Sequence, residues 1–293
     1  MNSTLARHLL VPLALAAAFA VASADPTLID QGRAALNRGD FDGAIILLEK
    51  AVAQAPQSAE AHYVLAGAYG GKAQAGGMLD GAKFGMKSKE ENEKAVELDP
   101  KYVEPRFSLV QMYASAPAMM GGSFDKALDQ AKAIKAVDPV VGHRAYAFVY
   151  TKQNKPDLAR QEYLDAIQEQ PKSAKAHSYF GQYLSTTEKN YAAAFAEFDA
   201  ALTADPSYMP ALYHVGRTAA QADSNLARGE ASLKTYLGYT PKPGEPPLAY
   251  ANYNLGLVYE KEGKKNEAKK SFETALKLNP TLKDAIEALK RVS

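Results

Sequence analysis

The chain has 293 residues, with 34 lysines and arginines against 33 aspartates and glutamates, and no cysteine. This length supports a core large enough to fold without disulfides. The lack of cysteine excludes disulfides, zinc-thiolate sites, iron–sulfur clusters, a thiol nucleophile and lipidation at a cysteine. A net charge of +1 gives no overall basic footprint of the kind that nucleic acids or anionic membranes attract, so we expect no nucleic-acid partner.

The amino terminus has the layout of a secretory signal. Arg7 and His8 precede an apolar run over 9–21, which ends at Ala22-Ser23-Ala24. We therefore expect residues 1–24 to be a cleaved signal peptide and the mature protein to be exported and soluble, in a periplasm or secreted. Retention of the segment as an anchor is the alternative, although a spanning helix needs about 20 apolar residues. No later segment is long enough to span a bilayer.

A pattern of small and large residues recurs along the rest of the chain. The clearest copy is Ala268, Phe272, Ala275 and Pro280, preceded by Leu255-Gly256 with Tyr259 three residues later. Spacings of three and four place such residues on one helical face, and the small residues let two helices approach closely. Each unit is therefore a hairpin of two helices that must stack on its neighbours to bury its apolar face.

These motifs resemble the tetratricopeptide repeat, and the resemblance covers nearly all of the chain after residue 24. It implies an all-α fold, a right-handed α-solenoid of about seven helix hairpins followed by a carboxy-terminal capping helix at 283–293. The first unit departs most from the pattern, as a terminal repeat can. The expected units are 25–56, 59–100, 103–139, 140–171, 174–206, 209–241 and 249–280.

Two neighbouring units carry insertions in the turn between their helices, at 70–81 and at 115–122. Equivalent turns of adjacent hairpins lie on one edge of a solenoid, and insertions there often form a binding face. We expect two loops whose apolar residues either pack on each other as a local lobe or contact a partner. The apolar residues of these loops are Met78, Leu79, Met119 and Met120.

The residues used by common catalytic and metal sites are not arranged as such sites require. Gly70-Gly71-Lys72 lacks the earlier glycine and the following serine or threonine of a phosphate-binding loop. His62, His143 and His177 take the same place in three hairpins, so about a helix diameter separates neighbouring copies and they cannot share a metal ion. We expect no enzyme activity, no cofactor and no metal ion.

The resemblance implies that the first helix of each hairpin lines the concave side of the stack. Positions two residues before and two after the helical signature lie roughly 120–150° around the helix from the packed face. Aromatic residues and arginines predominate there, and these residue types dominate binding hot spots. With one added lysine, the candidate peptide-binding residues are Tyr63, Phe107, Arg144, Phe148, Lys175, Gln182, Tyr213, Arg217 and Tyr253.

Charge is expected to vary along this groove. Glu60 and Glu104 stand near its amino-terminal end, whereas Arg144, Lys175 and Arg217 lie towards its middle. We expect these cations to receive an acidic segment or a terminal carboxylate of a partner. Solvated charges and half-buried packing aromatics would produce the same sequence pattern.

The sequence therefore predicts a non-catalytic, exported scaffold that binds a peptide segment or a helix of another protein in its concave groove. The alternative is a structural subunit that oligomerises through its ends or its insertion loops, with the groove idle. An enzyme or a carrier of small ligands is the least favoured function.

Overall fold

The computed structural model describes residues 25–293, so the segment assigned to a signal peptide lies outside the described residues. Within residues 25–293 the chain is all-helical and forms no strand. Short turns of other helical types lie at Ala118–Met120 and Leu184–Glu188. The α-helices are α1 (Pro26–Asn37), α2 (Phe41–Gln54), α3 (Ala59–Ala75), α4 (Met78–Leu98), α5 (Val103–Ser115), α6 (Phe124–Lys135), α7 (Pro139–Lys152), α8 (Pro156–Glu169), α9 (Ala174–Tyr183), α10 (Tyr191–Ala204), α11 (Met209–Ala222), α12 (Leu226–Leu237), α13 (Leu248–Lys261), α14 (Lys265–Leu278) and α15 (Lys283–Val292).

Consecutive helices pair as seven hairpins, from α1 with α2 to α13 with α14, and α15 packs on the last of them. The first helices of neighbouring hairpins also contact one another, as α5 does with α7 and α11 with α13. The hairpins therefore stack side by side, which confirms the expected α-solenoid. Among residues 25–293, none of the helices combines the length and the apolar character that crossing a bilayer demands.

Small residues allow the two helices of a hairpin to approach closely. A Cβ atom placed on Gly256 of α13 would lie 2.4 Å from the ring of Phe272, and one placed on Gly181 of α9 would lie 2.6 Å from the ring of Phe198. Both phenylalanine rings are fully buried. Any larger residue at these glycines would force the helices apart, because protein interiors leave no spare volume.

The first insertion is not a loop, contrary to the expectation. α3 continues to Ala75 and α4 begins at Met78, so the inserted residues lengthen both helices and only Gly76-Gly77 remains as the turn. Besides their glycines, the added segments contain alanine, lysine, glutamine, methionine and leucine, which favour helix. α4 begins ten residues before the buried Ser88, whereas α6 begins three residues before the equivalent Ala127. At 1.5 Å per residue, this hairpin projects about 10 Å beyond its neighbour.

The two ends of the solenoid meet. Gly39, in the turn between α1 and α2, has a backbone φ of 74°, and a Cβ atom placed on it would lie 2.0 Å from Oγ1 of Thr281 and 2.8 Å from Oδ1 of Asn279. Asn279 and Thr281 belong to the turn between α14 and α15, at the other end of the chain. The stack of hairpins therefore closes on itself, and we call this contact the seam.

We expect Gly39→Ala to open the seam, because the new Cβ atom would overlap Thr281. Gly263→Ala is the matched control, since Gly263 also has a φ of 74° but no atom lies within 4 Å of an added Cβ. Both variants should lose about 1 kcal/mol from left-handed strain. Only Gly39→Ala should enlarge the radius of gyration in X-ray scattering and speed amide exchange around Thr281. Equal behaviour of the two variants would contradict the closed arrangement.

Candidate functional site

The first helices of the third, fourth and fifth hairpins surround a cavity of about 290 Å³. Two of its lining side chains are cationic and none of them is acidic. Four predicted groove residues meet in this cavity, which we call the central cavity. Its lining residues are Phe107, Gln111, Arg144, Phe148, Thr151, Lys152, Tyr163, Gln182, Tyr183, Thr186 and Thr187.

Arg144 lies between two aromatic rings from the neighbouring hairpins. Its guanidinium carbon is 4.6 Å from the centroid of Phe107 on α5 and 4.3 Å from the centroid of Tyr179 on α9. No carboxylate of residues 25–293 forms an ion pair with it. Stacking holds the planar guanidinium in place without satisfying its N–H donors, so Arg144 presents a fixed cation to the cavity.

The second cation, Lys152, follows Arg144 two turns later on α7. Its Nζ lies 5.4 Å from the centroid of Phe148, which packs 6.5 Å from Phe107 between ring centroids. Lys152 is exposed and forms no ion pair within the described part of the chain. Both cations of the central cavity are therefore available to an anionic group.

Hydroxyl groups complete the lining. Tyr163 stacks on Phe180 and Tyr183, with ring centroids 5.7 and 4.9 Å away, and burial raises the pKa of Tyr163 to about 12. Its hydroxyl consequently stays protonated at neutral pH and can donate a hydrogen bond. Thr186 and Thr187 add two further hydroxyls at the cavity edge.

The π-helical turn over Leu184–Glu188 positions these threonines. Thr186 donates its hydroxyl proton to the carbonyl oxygen of Gln182 at 2.7 Å, and Ser185 donates to the same oxygen at 3.0 Å. Side-chain bonds of this kind compete with the regular helical ladder, and π turns of this type recur at functional sites. The turn widens the end of α9 and brings Thr186 and Thr187 to the cavity.

The remaining predicted groove residues lie outside the central cavity. Lys175 is occupied by Asp138, with 3.0 Å between Nζ and Oδ2. Burial, the largest single influence, lowers the pKa of Lys175, but the hydrogen bond to Asp138 and the negative charges of Asp138 and Glu104 together raise it above its ordinary value. Arg217 on α11 is half-buried. Tyr63 packs edge-on against Tyr102 at 5.2 Å.

The structure places Tyr213 in the core. Its side chain is 7% exposed, its ring lies 5.5 Å from Tyr236, and its hydroxyl accepts a hydrogen bond from Nδ2 of Asn254 at 3.1 Å. Tyr253 is half-buried and packs 6.0 Å from Phe272 within its own hairpin. A long side chain at the edge of the buried face of a helix can reach into the core, and the side chains of these two tyrosines do so.

Sequence reasoning missed Tyr179, one of the two rings that hold Arg144. The rule of two residues before the signature selects Ser178, which is 1% exposed, whereas the adjacent Tyr179 is half-buried and faces the groove. One helical position is a rotation of about 100°, so a small difference in packing decides which neighbour lines the groove. An aromatic residue one repeat after Arg144 was the available signal.

Each of the three aligned histidines binds a glutamate on the second helix of its own hairpin. Nδ1 of His143 lies 2.7 Å from Oε2 of Glu162, and Nδ1 of His177 lies 2.7 Å from Oε2 of Glu197. The hydrogen bond that Nδ1 of His177 donates to the carboxylate of Glu197 raises the pKa of His177. These pairs clamp the helices of a hairpin together. Residues 25–293 contain no group of three or more histidine, aspartate or glutamate side chains that could hold a metal ion.

The four apolar residues of the insertions are exposed. The exposed fractions are 92% for Met78, 86% for Leu79, 93% for Met119 and 53% for Met120. Met78 and Leu79 belong to the first turn of α4, and Met119 and Met120 to the short helical turn after α5. They do not pack into a local lobe, since such packing would have buried them.

Comparison with known proteins identifies the repeats. Two family models described as tetratricopeptide repeat match the chain, one over residues 249–282 and the other over residues 29–72 and 149–208. No curated protein sequence gives a significant match. The chain belongs to the tetratricopeptide repeat family, whose members are generally non-catalytic scaffolds for protein interactions.

Solved structures share the fold at low sequence identity. A monomeric mutant of IFIT1 with Gppp-AAAA superimposes with a TM-score of 0.54 and 19% identity, over 91% of this chain and 62% of that one. Yeast Tom70 gives 0.50 and 15%, over 86% of this chain and 58% of that one. A tetratricopeptide repeat protein from Parabacteroides merdae gives 0.49 and 15%, over 91% and 98%. The chain thus spans less than two thirds of the first two proteins.

Proposed function

We propose that this protein is a non-catalytic scaffold whose groove binds a peptide segment or a helix of a partner protein through an acidic side chain or a terminal carboxylate. The observation that carries the proposal is the lining of the central cavity. It combines the cations Arg144 and Lys152 with the hydroxyls of Tyr163 and Thr187 and with aromatic walls, and it contains no acidic residue. An anion bound there would meet two cations and no carboxylate.

The geometry favours a carboxylate over a neutral group. Arg144 is already held between Phe107 and Tyr179, so little side-chain entropy is lost when its forked N–H donors engage an anion. The aromatic walls lower the local dielectric and strengthen that interaction. Phe107 and Phe148, both half-buried, offer apolar surface to residues that flank the acidic anchor, as hot-spot residues do.

Export is a further part of the proposal, and it rests on the layout of residues 1–24. The mature scaffold would then meet its partner in a periplasm or outside the cell. Amino-terminal sequencing of the protein recovered from its native compartment tests this point. A sequence beginning at Asp25 is expected, whereas retention of Met1 would favour a membrane anchor.

Site-specific photo-crosslinking tests the groove. A photoreactive amino acid at position 182, in the central cavity, should label bound peptides from a library of short random sequences. The same amino acid at Lys132, which is exposed on the second helix α6, is the matched control and should label none. Labelled peptides are expected to be enriched in aspartate, glutamate or a free carboxy terminus. Equal labelling at both positions, or labelled peptides without acidic groups, would contradict the proposal.

A further inference from the structure

The projecting hairpin of α3 and α4 ends in an apolar knob, formed by Met78 and Leu79. These side chains are 92% and 86% exposed, and Gly77 before them makes no side-chain cap at the start of α4. At this exposure they add almost nothing to the burial of apolar surface in the solenoid core. Two adjacent exposed apolar side chains bury a large apolar area when a partner covers them.

An apolar cleft of about 510 Å³ lies at the seam. The last turn of α1 forms one wall, and the proline-rich segment before α13 forms the other. The hydroxyl of Tyr236 fixes this segment by donating to the carbonyl oxygen of Pro246 at 2.6 Å. The apolar residues of the cleft include Leu36, Pro241, Pro243, Leu248 and Leu278.

The knob and the cleft stand side by side on one edge of the molecule. A shallow depression of about 230 Å³ is bordered by Gly39 and Thr281 of the seam and by Gly76 and Asp80 of the projecting hairpin. Nζ of Lys72 near the end of α3 also binds Asp42 of α2 at 2.8 Å. The protruding feature and the receiving feature thus share a continuous surface.

Charged residues flank the two features in complementary positions. Asp80 follows the knob directly, and Lys83 lies one turn further along α4. Arg38 and Lys242 line the cleft together with Glu245. Arg38, Lys242, Asp80 and Lys83 form no ion pair within residues 25–293, so their charges are available to a second molecule.

We infer that the chain pairs with a second copy of itself about a twofold axis, with the knob of each copy in the cleft of the other. A knob beside a cleft on one surface is self-complementary, and a twofold axis fills both clefts at once. Asp80 of one copy then faces Arg38 and Lys242 of the other. None of the residues that line the central cavity lines the cleft or the depression, so the dimer leaves the central cavity open and goes beyond the function proposed above.

Sedimentation over a range of protein concentrations tests the pairing. We expect a reversible monomer–dimer equilibrium, and Met78→Ser with Leu79→Ser should weaken it by about tenfold or more, since two apolar side chains lose their burial. The matched control is Ile46→Ser with Leu158→Ser, which removes exposed apolar residues (56% and 47% exposed) outside this surface. The control should dimerise as the native chain does. A monomer at all concentrations, or a dimer indifferent to the knob variant, would overturn the inference.

A charge exchange tests the orientation of the two copies. Asp80→Lys and Arg38→Asp should each weaken the dimer by about tenfold, and the combined variant should restore it because the charges are again opposite. Failure of the combined variant to recover would exclude the proposed pairing. If the knob variant instead abolishes binding to lipid vesicles while sedimentation is unaffected, the knob belongs to a membrane surface and the inference is wrong. The photo-crosslinking at position 182 should not change in any of these variants.

Discussion

Arg144→Glu should reduce the affinity of the groove for acidic peptides by about a hundredfold or more. Removing a desolvated charge partner generally costs 2–5 kcal/mol or more, and the new carboxylate adds repulsion. The measurement is the dissociation constant of an acidic peptide selected by the photo-crosslinking experiment, determined by fluorescence anisotropy. The affinity of Arg144→Lys should lie between those of the native protein and of Arg144→Glu. Lysine keeps the charge but loses the forked donors and the stacking on Phe107 and Tyr179.

Arg228→Glu is the control for this substitution. Arg228 on α12 also stacks on a ring, with its guanidinium carbon 5.5 Å from the centroid of Phe195, and it pairs with Asp199. It lies on a second helix, outside the central cavity, so its reversal should leave peptide affinity unchanged. Arg217→Glu is expected to have a smaller effect than Arg144→Glu, since Arg217 does not line the cavity. Equal losses for Arg144 and Arg228 would show that the effect comes from folding and not from the site.

His214→Phe should make the protein markedly more resistant to acid. Burial, the larger cause, and the nearby Arg217 and Arg144 together lower the pKa of His214 to about 3. A histidine in the unfolded chain titrates near 6.5. The neutral ring therefore stabilises the fold fully above pH 6.5, and this contribution is lost as pH falls from 6.5 towards 3. At pH 4 the native chain should have lost about 3 kcal/mol from this group alone, at 1.36 kcal/mol for each pKa unit.

Phenylalanine suits this position because the imidazole stacks on Phe198, with centroids 5.9 Å apart and an interplanar angle of 12°. Urea unfolding at pH 7 and pH 4 measures the effect, and the difference between the two free energies should shrink by about 3 kcal/mol in the variant. An unchanged difference would show that His214 is protonated in the folded protein.

His177→Gln is expected to act in the opposite direction. The hydrogen bond that His177 donates to Glu197 raises the pKa of His177 above its ordinary value of 6.5. Its stabilising contribution is therefore complete below pH 6.5 and is lost as pH rises through the folded pKa. In the variant, the free energy of unfolding should depend less on pH above pH 6.5. Its dependence below pH 6.5, which His214 causes, should stay unchanged.

The repeat was readable from the sequence because its signature records direct contacts. Gly256 and Phe272, or Gly181 and Phe198, are close to each other in the chain and touch within one hairpin. Such local packing leaves a spacing of small and large residues that survives without an alignment. The same periodicity predicted that Arg144 faces away from the packed side of its helix, and Arg144 lines the central cavity.

Three features were beyond that kind of reasoning. The insertion at 70–81 has a composition that suits a loop because of its glycines, yet its residues extend two helices that support each other. Tyr179 was missed, and Tyr213 was expected on the concave side although it lies in the core. One helical position decides between these two environments. The contact between the two ends of the solenoid depends on the small rotation between successive hairpins, summed over the whole stack. No single pair of residues in the sequence predicts it.

Closure changes how the array should come apart. An open repeat array behaves as a linear chain of nearest-neighbour units, whose terminal units fray first because each has only one neighbour. Here the turn at Gly39 contacts the turn at Thr281, so the terminal units gain a contact with each other that an open array lacks. The melting transition should therefore be sharper than in an open array of equal length, and deleting the last hairpin should loosen the first one at the opposite end of the sequence.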